Sequence, residues 1–229
     1  PYVRASLKNT VVFTVITVPL QTAGSLVLAA VIAELFHNKF GNFVKSSLFV
    51  PVIASAILVG TLWFTLLSPR GVVNSIIHAF GLPSVNWLGG KLTSMLSVCI
   101  VSVWKNVGYF LVIYFAGIMD IPRSLYEAAE VDGANPLQRF WAITVPSISP
   151  VLKLTLLLRV IWIFNFAEII YTMTKGGPSG STEIITTLMM KFIDSFDYGM
   201  ASATGVVCII ILTIFASSYV GMLKMEDAE

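Results

Sequence analysis

Charge is what this chain has least of: Asp, Glu, Lys and Arg make up only 11% of its 229 residues, against about 25% in an average soluble domain. With 56% hydrophobic residues and a mean hydropathy of +0.87, that scarcity excludes a soluble globular domain and places the chain in a lipid bilayer. Histidine and cysteine are also sparse, two of each. His37 and His78 fall in polar loop stretches with no second ligand at metal spacing, so no metal site is expected. Cys99 and Cys208 lie inside apolar runs, where they behave as small hydrophobes and not as a disulfide pair. No HExxH, Ser/His/Asp or paired-Asp arrangement occurs, which leaves no catalytic candidate. The phosphate loop G-x-x-x-x-G-K-[ST] is missing too, so the chain cannot cradle ATP in that way. A net charge of +2 with no basic run gives no case for nucleic acid. The opening PYVRASLKNT lacks the apolar core of a signal peptide and starts at Pro1 instead of Met, so a segment upstream is expected.

What is there is dominated by five apolar segments, at about residues 10–34, 46–69, 92–119, 151–174 and 198–223. A helix needs roughly 20 residues to cross the hydrocarbon core. The expected fold class is therefore an all-α membrane protein, a polytopic helical bundle forming one transmembrane domain over residues 1–229 with five spans. Pro19 and Gly24 inside the first segment are tolerable in a membrane helix, and Trp63 is placed like an interfacial anchor. Residues 70–91 read as a turn-rich loop holding one short helix over 73–80, and residues 174–183 as a second breaker-rich loop. Residues 184–196 are amphipathic and too short to span. Gly199, Ala201, Ser202, Ala203, Thr204 and Gly205 mark a closely packed face on the last span.

Polar residues inside the spans are few enough to name. Lys105 and Asn106 interrupt the third, Asn106 and Tyr109 share a helix face, and Arg159 precedes Trp162, Asn165 and Glu168, which recur at every third position of the fourth. Two readings stay open for Asn106, Tyr109, Trp162, Asn165 and Glu168. One is the lining of a solute pathway, where amides and ring faces suit a hydroxylated solute. The other is hydrogen-bonding glue between packed helices. Lys and Arg divide evenly between the two sides that five spans define, so the positive-inside rule is silent on orientation.

The one segment both charged and strongly patterned is 120–150, DIPRSLYEAAEVDGANPLQRFWAITVPSISP. Ser124 three residues before Glu127 predicts a capping box opening a short helix. Gly133 supplies a left-handed stop, and Asn135-Pro136 predicts the start of a second short helix through Leu137, Phe140 and Trp141. Pro146 and Pro150 then predict two breaks, with Ser149 able to cap the helix that follows. Read on its own, this is an amphipathic connector on the membrane surface.

Its spacing, however, resembles the EAA loop, EAA-x3-G-x9-I-x-L-P, of permease subunits of binding-protein-dependent ABC importers, carried here by Glu127, Ala128, Ala129, Gly133, Ile143 and Pro146, with Val145 in place of Leu. Asn9-Thr10, FNFAEIIYTMTKGGPSGST and FDYGMASA are similar, in order and spacing, to the carbohydrate-uptake branch that includes the larger maltose-type permease subunit. The resemblance implies a MetI-like permease core in a prokaryotic inner or plasma membrane, with the loop in the cytoplasm. It implies a second homologous permease subunit, two ATPase subunits that hold the ATP and Mg, and an extracytoplasmic binding protein that delivers a sugar. No cofactor is implied for this chain itself. Glu127, Ala128, Ala129, Glu130, Asp132, Gly133, Ile143 and Pro146 would form the ATPase-coupling contact. An ion-coupled carrier or channel, a membrane enzyme, a purely structural subunit, and an importer of a non-sugar solute such as glycerol phosphate are the alternatives.

Overall fold

A computed structural model describes residues 2–36, 39–163 and 166–226; His37, Asn38 and Asn165 lie outside the described residues. Among those described there is no strand, only helices and their connections. In chain order these are α1 (Tyr2–Leu35), α2 (Lys39–Ile53), α3 (Ala56–Leu66), α4 (Val72–Ala79), α5 (Lys91–Met119) and α6 (Arg123–Val131). Next come α7 (Pro136–Arg139), a π-helical turn (Phe140–Thr144), α8 (Val145–Ser147) and α9 (Ser149–Ile163). The chain ends with α10 (Ala167–Thr174), α11 (Ile185–Asp194) and α12 (Tyr198–Glu226). Three helices, α1, α5 and α12, are each long and apolar enough to cross a membrane, and the count rises to five if the broken pairs at α2–α3 and α7–α9 each make one span.

The chain divides into two compact units. One comprises Val18–Ala54 and Val103–Leu158. Here α5 approaches α2 closely at Gly108, where any side chain would run into the backbone carbonyl of Leu48. Ser25 Oγ donates to the Val107 carbonyl at 3.0 Å, and the Tyr114 and Thr155 hydroxyls meet at 2.9 Å. α5 passes Ile148 and Val151 at Gly117, where even a Cβ would stand in ordinary van der Waals contact with them, and Ile148 is fully buried.

Lys105 explains a feature that hydropathy misses. The second apolar segment, expected as one helix over 46–69, is broken between α2 and α3. Pro51 sits inside α2, and Ser55 takes an extended conformation (φ −61°, ψ 147°) while its side chain caps the new helix by accepting from the Leu58 N–H at 3.2 Å. A break in an apolar segment strands the last carbonyls of the first helix, at the negative end of its dipole. The Lys105 ammonium donates to three of them, Pro51, Val52 and Ala54, at 3.0, 3.1 and 2.9 Å. The buried cation and the broken helix end satisfy each other. Lys105→Met keeps the bulk but removes all three donors, and is expected to lower unfolding stability in detergent by about 3 kcal/mol, read as a fall in thermal midpoint. An unchanged midpoint would show that the break is held by something else.

The other unit comprises Pro1–Thr17, Ser55–Ser102 and Arg159–Glu229. Its centre is the clasp between the start of α1 and the loop before α11. Asn9 donates its amide to the carbonyls of Gly180 and Glu183 at 2.7 and 3.0 Å, and Thr10 Oγ1 accepts from the Ile185 N–H at 3.0 Å. Buried Glu183 is paired with Lys191 and receives Ser6 Oγ at 3.4 Å. Asn74 of α4 pins the 80–90 loop through both its amide atoms, donating to the Val85 carbonyl at 3.1 Å and accepting from the Val85 N–H at 3.0 Å. α12 packs against α11 through Ala201 and Thr204, with Gly205 close to Met189, whereas Gly199, Ser202 and Ala203 are exposed.

The fourth apolar segment also departs from expectation. Residues 151–174 do not form one helix: α9 is described over Ser149–Ile163, Phe166 lies outside any helix, and α10 starts afresh at Ala167. No Gly or Pro marks the interruption in the sequence. α10 packs against α3, where Gly60 leaves room for Thr172 and the Ile169 carbonyl. Close helix approach at Gly60 is a tertiary preference that one-dimensional periodicity does not register.

Candidate functional site

The 120–150 segment folds as a knob of short helices projecting beyond the last turns of α1 and α5. No residue of α6 is buried, so Leu125, Glu127, Ala128, Glu130 and Val131 stand exposed, Val131 at 88%. α6 ends as its glycine requires. Gly133 takes φ +79°, the Ala134 N–H reaches back to the Ala129 carbonyl at 2.9 Å, and the Gly133 N–H to the Glu130 carbonyl at 3.0 Å. These paired bonds are the Schellman stop. A Cβ at Gly133 would meet nothing within 4 Å, so the demand for glycine is conformational and not spatial.

The capping box falls one helix later than expected. α6 is capped by Pro122 with no side-chain bond, which puts Ser124 inside the first turn and leaves Glu127 untied. The reciprocal pair is Asn135 and Gln138: Asn135 Oδ1 accepts from the Gln138 N–H at 2.9 Å and Gln138 Oε1 from the Asn135 N–H at 2.8 Å, with Pro136 at the first helical position. Pro122, whose fixed φ starts the helix by itself, displaced the cap. The expected break at Pro146 does not occur either. The chain widens into a π-turn, in which the Val145 N–H reaches the Phe140 carbonyl, and runs helically through Pro146 to bend by 69° beside Ile148. A π-turn absorbs the N–H that proline lacks.

Arg139 ties the knob to the membrane helices. Its Nη2 lies 2.7 Å from Glu34 Oε1 in the last turn of α1, and its Nη1 lies 3.6 Å from Glu130 Oε2 in α6. The Tyr126 hydroxyl meets buried Thr144 at 2.9 Å, fastening α6 to the π-turn. Between these elements lies a cavity of about 340 Å³, lined by Ala30, Ala33 and Glu34 of α1, Ile118 and Met119 of α5, Arg123, Tyr126, Glu127 and Glu130 of α6, and Arg139. Of the sequence-predicted coupling residues, Glu127, Ala128, Glu130, Asp132 and Gly133 lie on the exposed surface, Ala129 and Ile143 are half-buried, and Pro146 is exposed beyond the π-turn.

The pathway candidates expected on the third span lie on α5, and those described from the fourth lie on α9 and α10. Asn106 is buried and Tyr109 half-buried on α5, the Tyr109 ring standing edge-on to Phe110 at 5.3 Å. Trp162 lies in the last turn of α9 and Glu168 is exposed in the first turn of α10, with Phe166 between them outside any helix, so the stripe expected from their spacing is interrupted; Asn165 lies outside the described residues. Arg159 is almost fully buried, donating to Ser102 Oγ at 3.2 Å and standing over the Phe166 ring at 4.9 Å. Sequence reasoning missed the Lys105 cap and the Arg139–Glu34 pair, neither of which has a local spacing signal. No group of three His, Cys, Asp or Glu able to hold a metal occurs among the described residues.

The described residues form a polytopic helical arrangement that presents an exposed double-helix knob, fastened by an ion pair to α1. The chain belongs to the family of inner membrane components of binding-protein-dependent transport systems, matched over residues 9–226. It is 35% identical to "Probable ABC transporter permease protein YurN" of Bacillus subtilis (strain 168), over 92% of this chain and 74% of that protein. It is 32% identical to the trehalose/maltose transport system permease protein MalF of Thermococcus litoralis, over 92% and 71%. Among solved structures it superposes with TM-score 0.85 and 26% identity on a chain of a bacterial alginate ABC transporter in complex with alginate pentasaccharide-bound periplasmic protein, covering 94% of this chain and 76% of that one.

Proposed function

We propose that this chain is a transmembrane subunit of an ATP-driven importer for a sugar or oligosaccharide. An extracytoplasmic binding protein delivers the solute. The chain forms the pathway with a second, homologous permease, and two separate ATPase subunits supply the energy. The chain performs no chemistry itself; ATP and Mg are held by the ATPase subunits. The observation that carries this reading is the knob: α6 has no buried residue, is stopped at Gly133 and is strapped through Arg139 to Glu34. Seated in an ATPase cleft through Glu127, Ala128, Ala129, Glu130, Asp132 and Gly133, with Ile143 and Pro146 in the stretch that carries the movement onward, such a knob acts as a rigid lever. Closure of the ATPase pair then moves α1 with it and switches the solute pathway between its two openings. Sugar transport is supported by the names of relatives, among them trehalose/maltose and lactose transport system permeases. Asn106, Tyr109, Trp162, Asn165 and Glu168 remain the candidates for contact with the solute.

The test is uptake by vesicles carrying the purified complex, with a panel of labelled disaccharides and oligosaccharides, and glycerol phosphate as the non-sugar control. ATP-dependent accumulation of a sugar that requires the ATPase subunits is expected. Accumulation that persists without them would favour an ion-coupled carrier, and accumulation of glycerol phosphate alone would move the substrate class.

A further inference from the structure

We propose that the cavity behind α6 binds the headgroup of a zwitterionic, phosphoethanolamine-type phospholipid from the leaflet on the knob's side. Three observations converge on this ligand. First, depth: Ala30, Ala33, Ile118 and Met119 belong to the last turns of α1 and α5, which is where a membrane helix reaches the headgroup layer. Their apolar side chains offer the start of an acyl chain a wall, and Met119 is 47% exposed, open to lipid.

Second, the charges are mixed and incompletely used. Arg123 lines the cavity and makes no ion pair among the described residues. Arg139 has its two terminal nitrogens committed to Glu34 and Glu130, but its Nε is enclosed and without an acceptor. An enclosed guanidinium N–H lacking an acceptor is costly, and a phosphate oxygen is its natural complement. The same lining carries the carboxylates of Glu127, one turn along α6 from Arg123, and of Glu130, held only loosely at 3.6 Å from Arg139. A bare phosphate would be repelled by that pair of acids, and a bare cation by Arg123. A phosphate and a primary ammonium on one molecule satisfy both.

Third, size: about 340 Å³ falls at the small end of the roughly 300–1,000 Å³ typical of ligand sites, enough for a headgroup and not for a whole lipid. A choline headgroup has no N–H to give Glu127 and Glu130. A glycerol headgroup leaves the phosphate charge facing them uncompensated.

The site needs only that the chain spans a bilayer, but it shares Glu127 and Glu130 with the proposed ATPase contact; the preference is read on lipid binding alone, so its failure leaves the coupling proposal standing. The test is native mass spectrometry of the delipidated complex, titrated separately with short-chain phosphatidylethanolamine, phosphatidylcholine and phosphatidylglycerol. Wild type is expected to retain one additional phosphatidylethanolamine at about tenfold lower concentration than the other two, the effect of one charge-assisted contact. Arg123→Gln, an exposed position that leaves assembly intact, is expected to erase the preference. Ala33→Trp, which fills the cavity, should do the same. Equal retention of the three lipids, or a preference unmoved by both substitutions, overturns the proposal. Soluble phosphoethanolamine that displaces the lipid at equal concentration would also overturn it, by showing that the site takes a free metabolite.

Discussion

Replacing Gly133 with proline is expected to abolish substrate-stimulated ATP hydrolysis by the reconstituted complex while leaving the membrane helices assembled. The residue sits at φ +79°, and proline is confined near −65°, so the Schellman stop cannot form. Proline also removes the N–H that bonds the Glu130 carbonyl at 3.0 Å. Because no atom lies within 4 Å of the missing Cβ, Gly133→Ala suffers no clash and only the left-handed penalty of about 1–2 kcal/mol. The two substitutions therefore grade one variable, the angle between α6 and α7 within the knob. Alanine is expected to lower stimulation partially, and proline by at least roughly tenfold, since strain of several kcal/mol corresponds to more than a tenfold shift. Hydrolysis with and without solute-loaded binding protein, at an assembly level checked by co-purification, measures both.

Arg139→Ala is expected to have the second largest effect. The side chain bridges Glu34 at 2.7 Å and Glu130 at 3.6 Å and is only 16% exposed. A charge-assisted hydrogen bond of this kind is worth roughly 1.5–3 kcal/mol when partly enclosed, but Glu34 is 45% exposed, so the lower end applies. Losing it is expected to cost about tenfold in stimulation, with basal hydrolysis untouched, because the strap joins knob to membrane helix and does not face the ATP. Arg139→Lys keeps the charge without the fork and is expected to recover part of the loss. The exchanged pair Arg139→Glu with Glu34→Arg is expected to recover more than either single substitution. Recovery by exchange is what separates a strap from a residue needed merely to fold; identical losses in all three variants would argue for the latter.

How much of this was legible beforehand depends on whether the signal was local. The membrane class followed from composition, and the knob from the run of Glu127, Ala128, Ala129 and Gly133, because turn chemistry is written in adjacent residues. Asn135-Pro136 located the second short helix for the same reason. Ser124 misled because two start signals stood side by side and Pro122 prevailed. The broken helices were illegible for a different reason. Residues 46–69 are apolar on both sides of the break, and the group that satisfies the open carbonyls, Lys105, arrives from a helix some fifty residues later. Asn9 and Thr10 likewise gain their meaning only from residues 180–185. The stripe through Trp162, Asn165 and Glu168 assumed one continuous helix, and the non-helical Phe166 ahead of α10 removes that premise.

The most direct test of the knob's role is where it touches. Cysteine placed at exposed Ala128, with the buried Cys99 and Cys208 changed to serine, is treated in the assembled complex with a short thiol-to-thiol cross-linker. The ATPase subunit carries a single cysteine in the cleft expected to receive the knob. A permease–ATPase adduct that forms at Ala128→Cys, and not at a control cysteine in place of exposed Pro83, is the expected result. An adduct at Pro83 and none at Ala128, in a complex that assembles and transports, would contradict it.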